Sequence, residues 1–160
     1  MTHYDEAHDT FTIERTLKVK PAVVFGAWSD PAQKRLWFAC HDEWVSEEYS
    51  LDCRVGGHET NKVRDSNGVL HVYQARILDV IADRRLIFSY DMYLEDRRIS
   101  ISLATVAFMP AGAGTRLLFT EQAIFLDGYD DGGSRRHGTE IGLDKLGLFL
   151  LAPAGGTGRA

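Results

Sequence analysis

Long apolar runs are missing from this chain of 160 residues. None approaches the ~20 residues that a helix needs to cross a bilayer. No apolar segment follows a basic start, so no secretory signal is read either, and a cytoplasmic location is the expectation. Lysine and arginine never cluster beyond two in a row, and the net charge is −5. That argues against nucleic acid and anionic membrane as main partners. Cysteine is scarce. Cys40 and Cys53 lack the C-x-x-C spacing of a zinc or redox site, and two reduced thiols are the simplest reading.

Several catalytic signatures are absent as well: the G-x-S-x-G nucleophile elbow, the P-loop, G-x-G-x-x-G and H-E-x-x-H. The Asp127–Gly133 run has the composition of a calcium loop. However, Gly138 stands where such a loop needs its terminal glutamate. His137 and Glu140 share a predicted helix face, but no third ligand accompanies them. No metal and no cofactor is therefore expected.

What is present is ordinary for a globular domain, with 44% apolar and 26% charged residues. The length fits one domain with a sizeable core. It is placed at residues 10–152, with 1–9 and 153–160 as flexible termini. Alternating apolar residues predict a first strand over Thr10–Lys20. Two short helices follow, Ala22–Trp28 and Pro31–Phe38, the second capped by Asp30 with Pro31 in its first turn. Strands are predicted over Trp44–Leu51, Gly57–Val63, Leu70–Val80, Leu86–Tyr93 and Thr115–Phe125. Asp65-Ser66-Asn67-Gly68 is a hairpin signal, and Gly56-Gly57 a tight turn. In the run after Arg97, Ile99, Ile101 and Leu103 take one parity and Val106 and Phe108 the other. That switch predicts a bulge near Ala104-Thr105. A final helix is predicted from Ser134 to about Leu151, with Gly138, Gly142 and Gly147 read as points of close approach to the sheet.

Four segments carry a resemblance: Trp28-Ser29-Asp30-Pro31 with Trp37, Asp52-Cys53-Arg54-Val55-Gly56-Gly57, Gly114-Thr115-Arg116-Leu117, and Leu143-Asp144-Lys145-Leu146. In this order the chain resembles the helix-grip fold of the START/SRPBCC superfamily. Within it, the chain is most similar to the small bacterial proteins of the family named for the activator of the heat-shock chaperone ATPase, the AHSA-type family. The resemblance implies an α+β helix-grip (START-like) fold: a curved antiparallel β-sheet wrapped around a long C-terminal α-helix, with two short helices after the first strand. The family often carries a Trp where this chain has Thr139, which implies a roomier space beneath the helix.

The resemblance also implies an apolar pocket between sheet and helix. Strand parity groups Phe88 with Tyr90 and Met92, and His71 with Tyr73. With Trp37, Trp44, Val106, Phe108, Thr139 and Leu143 they form the candidate cavity lining. Glu121, Asp91 and Asp79 are read as solvated strand residues, and Arg54 as a partner of Asp52 or Asp30.

Three functions are weighed. The first is a binding protein for an apolar, aromatic or lipid-like small molecule. The second is a polyketide cyclase- or hydrolase-type enzyme using His71 or Tyr73 as acid–base. The third, ranked last, is a stress-response co-regulator that binds a chaperone ATPase. The absent signatures lean the reading away from an enzyme, and exposed sheet edges leave room for a homodimer.

Overall fold

The computed structural model describes residues 4–39 and 41–151. Cys40, and with it any proximity to Cys53, lies outside the described residues, as do the terminal stretches 1–3 and 152–160. Seven strands form one antiparallel sheet in the order β1-β7-β6-β5-β4-β3-β2. They are β1 (Glu6–Leu17), β2 (Val45–Leu51), β3 (His58–Arg64), β4 (Leu70–Ile81), β5 (Arg85–Leu94), β6 (Arg97–Ala111) and β7 (Gly114–Leu126). Helices α1 (Pro21–Ser29) and α2 (Pro31–Phe38) fill the link between β1 and β2, and α3 (Ser134–Leu151) closes the chain. This is the expected helix-grip arrangement.

The elements form for local reasons. Pro21 and Pro31 open α1 and α2, where a missing N–H costs nothing. The Asp30 carboxylate accepts from the Ala32 amide at 3.0 Å and from Gln33 Nε2 at 3.1 Å. Asp65 takes the amides of Asn67 and Val69 at 2.9 and 3.0 Å, which turns β3 into β4. The tandem helices are locked together by Trp37, whose indole N–H donates to the Ala27 carbonyl at 2.9 Å and whose ring meets Trp28 edge-on at 4.8 Å.

Two expectations about the strands change. β1 begins at Glu6, ahead of Thr10, because its polar first residues pair with β7 from Leu126 onward. In β6 the irregularity lies at Ile99, where the register with β5 shifts between Met92 and Tyr93, and not near Ala104-Thr105. Ser100, Ser102, Ala104, Val106 and Phe108 all face inward, while Ile101 is half-buried and Leu103 is 38% exposed. Hydrophobicity alone misplaces this strand because its inner face carries two serines.

The turn between β2 and β3 depends on its glycines. Gly56 adopts φ +86°, and a Cβ on Gly57 would overlap the Asp52 carbonyl oxygen, which is backbone and cannot yield. Arg54 pairs with Asp52 at 2.8 Å across the same turn. Gly57→Ala is therefore expected to lower stability by about 1–3 kcal/mol or more, seen as a lower urea midpoint. An unchanged midpoint would contradict this account of the turn.

Candidate functional site

The last helix is anchored at both ends and leaves a gap in between. At its start, Asp131 accepts from the Arg135 amide at 2.9 Å and from the Ser134 hydroxyl at 3.0 Å. Asp131, and not Ser134, thus caps the first turn. Towards its end, Leu143 and Leu146 are buried, and Gly147 approaches Leu17 of β1. Between these anchors, a Cβ on Gly138 or Gly142 would meet nothing within 4 Å. The expectation that the three glycines mark close approach to the sheet does not hold: even on Gly147 a Cβ would meet only the Leu17 side chain, at an ordinary contact distance of 3.9 Å. The other two face a cavity of about 470 Å³, well within the ~300–1,000 Å³ range of small-molecule sites.

The cavity floor is aromatic with a charged centre. Tyr73 and Tyr90 lie 4.6 Å apart, ring to ring, with Phe88 beside them. Glu121 is fully buried on β7. Its Oε2 accepts from the Tyr90 hydroxyl at 2.6 Å, the Ser102 hydroxyl at 2.7 Å and Arg135 at 3.2 Å. Arg135 reaches down from α3, donates also to Ser100 at 2.7 Å, and lies over the rings of Tyr90 and Phe125. Burial works against the guanidinium charge, but the charge and hydrogen bond of Glu121 help to hold its pKa above the ordinary value. Burial, then the Glu121 charge, drives the Tyr90 phenol far up, so it stays protonated and donates. Tyr73 is raised in the same way, by burial first and Glu59 second.

A second buried pair lies under α2. Lys34 and Glu59 are 2% and 1% exposed and meet at 2.8 Å. The Lys34 ammonium sits 4.3 Å from the centre of the Phe38 ring and 5.1 Å from that of Trp28. Tyr49 donates to the other Glu59 oxygen at 2.6 Å. Lys34 and Glu59 do not line the cavity.

Of the candidate residues, Trp37, Trp44, His71, Tyr73, Phe88, Tyr90, Met92, Thr139 and Leu143 line this cavity. Val106 and Phe108 do not. Both are fully buried, and Phe108 packs edge-on against Phe25 at 5.5 Å and Trp28 at 6.4 Å, in the core beneath α1. His71 is half-buried near the rim, bonded to Asp65 at 2.9 Å, with its ring 4.6 Å from Trp44. The His71 bond, then the Val69 amide, holds the Asp65 carboxyl below its usual range. Thr139 returns its hydroxyl to the Arg135 carbonyl at 2.9 Å, so the wall there is short. His41, Ser134 and His137 lie on the exposed rim. No group of His, Cys, Asp and Glu suited to a metal occurs among the described residues.

Sequence reasoning missed Arg135, and it read Glu121 as solvated. The signal was available in β7: Leu117, Phe119, Ala123 and Phe125 share Glu121's parity and are buried. A carboxylate in such a row must face inward and find a cation. Asp91 and Asp79, by contrast, pair with Arg98 and Arg85 on the outside.

Removing one partner of the buried pair strands the other. Arg135→Met is expected to cost about 3–5 kcal/mol, while the double variant Arg135→Met/Glu121→Leu recovers most of that loss. Urea unfolding of the singles and the double checks this, and additive losses would contradict it.

The family model described as "Activator of Hsp90 ATPase homolog 1-like protein" matches residues 18–150. No curated protein matches the chain. Among solved structures, an uncharacterised protein from Rhizobium leguminosarum is 53% identical, with a TM-score of 0.90, over 93% of this chain and 98% of its own. The Mll3558 protein from Rhizobium loti is 39% identical, with a TM-score of 0.84, over 91% and 99%. Protein CV1439 from Chromobacterium violaceum shares the fold, at 21% identity and a TM-score of 0.75, over 89% and 97%. The chain belongs to the family of activator of Hsp90 ATPase homolog 1-like proteins.

Proposed function

We propose that this protein binds an apolar small molecule in the space between α3 and the sheet. The observation that carries the reading is the pair of glycines, Gly138 and Gly142, facing open space in the middle of a helix. Glycine weakens a helix interior by about 1 kcal/mol relative to alanine. A helix that needed only to cover the sheet would have larger side chains there. The wall and floor supply ring faces from Trp37, Trp44, Tyr73, Phe88 and Tyr90, and such rings with a few polar groups are the ordinary make-up of a small-molecule site. The raised phenols of Tyr73 and Tyr90 suit them to donate hydrogen bonds and not to abstract protons, which favours binding over acid–base catalysis.

The neutral dye Nile red tests this reading. It should bind the protein one to one with a rise in fluorescence. Gly142→Leu, which fills the cavity from the helix side, should weaken binding at least tenfold while melting at or above the wild-type temperature. Equal binding by the variant, or no binding by the wild type, would contradict the proposal.

A further inference from the structure

Three buried side-chain polar atoms among the described residues have no hydrogen-bond partner: Glu121 Oε1, Asn61 Oδ1 and Trp28 Nε1. All three belong to residues that line the same cavity. Buried polar groups are nearly always paired, so orphans gathered around one space mark what that space receives. From the two acceptors among them, Glu121 Oε1 and Asn61 Oδ1, we infer that the ligand is a neutral apolar molecule bearing a hydrogen-bond donor, a hydroxyl or N–H, which Glu121 Oε1 accepts. This inference rests on the binding function proposed above and names the chemistry of the ligand.

The asymmetry of Glu121 carries the argument. Its Oε2 takes three donors, from Tyr90, Ser102 and Arg135, while Oε1 takes none. An ionised carboxylate can only accept, so the open position calls for a donor. Charge selects among ligands. Arg135 is committed to Glu121, Tyr90, Ser102 and Ser100, so the floor offers an anion no uncommitted cation. A fatty-acid carboxylate placed there would meet the open Glu121 oxygen directly. A cationic ligand would meet the Arg135 guanidinium beside the same carboxylate. At the rim, Lys145 already pairs with Asp42 at 3.5 Å. Asn61, another residue of the cavity lining, provides a second acceptor on β3: its amide nitrogen donates to the Ala39 carbonyl at 2.9 Å, and its buried oxygen has no partner. It stands four strands from Glu121 in the sheet order, so a ligand with a polar group at each end would suit both.

A matched set of biphenyl, 4-phenylphenol and biphenyl-4-carboxylate, titrated calorimetrically into the full chain at neutral pH, isolates the donor. The phenol should bind at least tenfold tighter than biphenyl, and the carboxylate most weakly. The phenol's absorption band should move to longer wavelength on binding, as expected for a hydroxyl donating to a carboxylate. In Arg135→Met/Glu121→Leu the phenol and biphenyl should bind alike. Equal binding of the two by the wild type, tightest binding of the carboxylate, or a preference that persists in the double variant would each overturn the inference and leave the binding function standing. If none of the three binds while Nile red does, the inference falls alone. If Nile red fails too, the binding function falls with it.

Discussion

The contact between Arg135 and Glu121 sets the distance between the start of the last helix and the middle of the sheet, and the cavity depends on that distance. Arginine is long, and its guanidinium is held at the floor by Glu121, Tyr90, Ser102 and Ser100. The helix backbone above it therefore stands off from the strands, while its second half rests on Leu143 and Leu146. A buried ion pair is poor value as a stabiliser, because hydrophobic residues of similar volume often do as well or better. Its worth here is positional.

The same device appears twice, with different outcomes. Under α2, Glu59 has both oxygens engaged, one by Lys34 and the other by Tyr49, and the space around them is filled by Trp28, Phe38 and Phe88. That site is closed. Under α3, Glu121 has one oxygen engaged and one without a partner, and it lines the same cavity as Gly138 and Gly142. Tyr73 and Tyr90, their rings in tilted contact, join the sites: Tyr73 reaches Glu59 at 3.5 Å and Tyr90 reaches Glu121 at 2.6 Å. One half of the molecule is thus a solid core and the other a lined cavity. Val106 and Phe108, both fully buried, belong to the solid core.

The fold was legible because its cues are local. Asp30 before Pro31, the Asp65–Gly68 turn, Gly56-Gly57 and the alternation of β4, β5 and β7 each act within a few residues. Most of the aromatic lining was legible for the same reason, since strand parity placed Tyr73, Phe88, Tyr90 and Met92. The polar centre was not, because its partners are distant: Glu59 lies 25 residues from Lys34, and Ser100 lies 35 from Arg135. Reading serine as outward also shifted the bulge of β6 away from Ile99. Gly138 and Gly142 look alike in sequence whether they admit a close neighbour or leave a void, and only the packing of α3 tells the two apart.

A high-resolution crystal structure of the wild-type protein tests the central claim most directly. The account predicts Arg135 turned inward onto Glu121, and an ordered water or ligand atom about 2.6–3.2 Å from Glu121 Oε1 beneath Gly138 and Gly142. Arg135 turned out to solvent, with α3 seated directly on Tyr73 and Tyr90 and no space between, would contradict it.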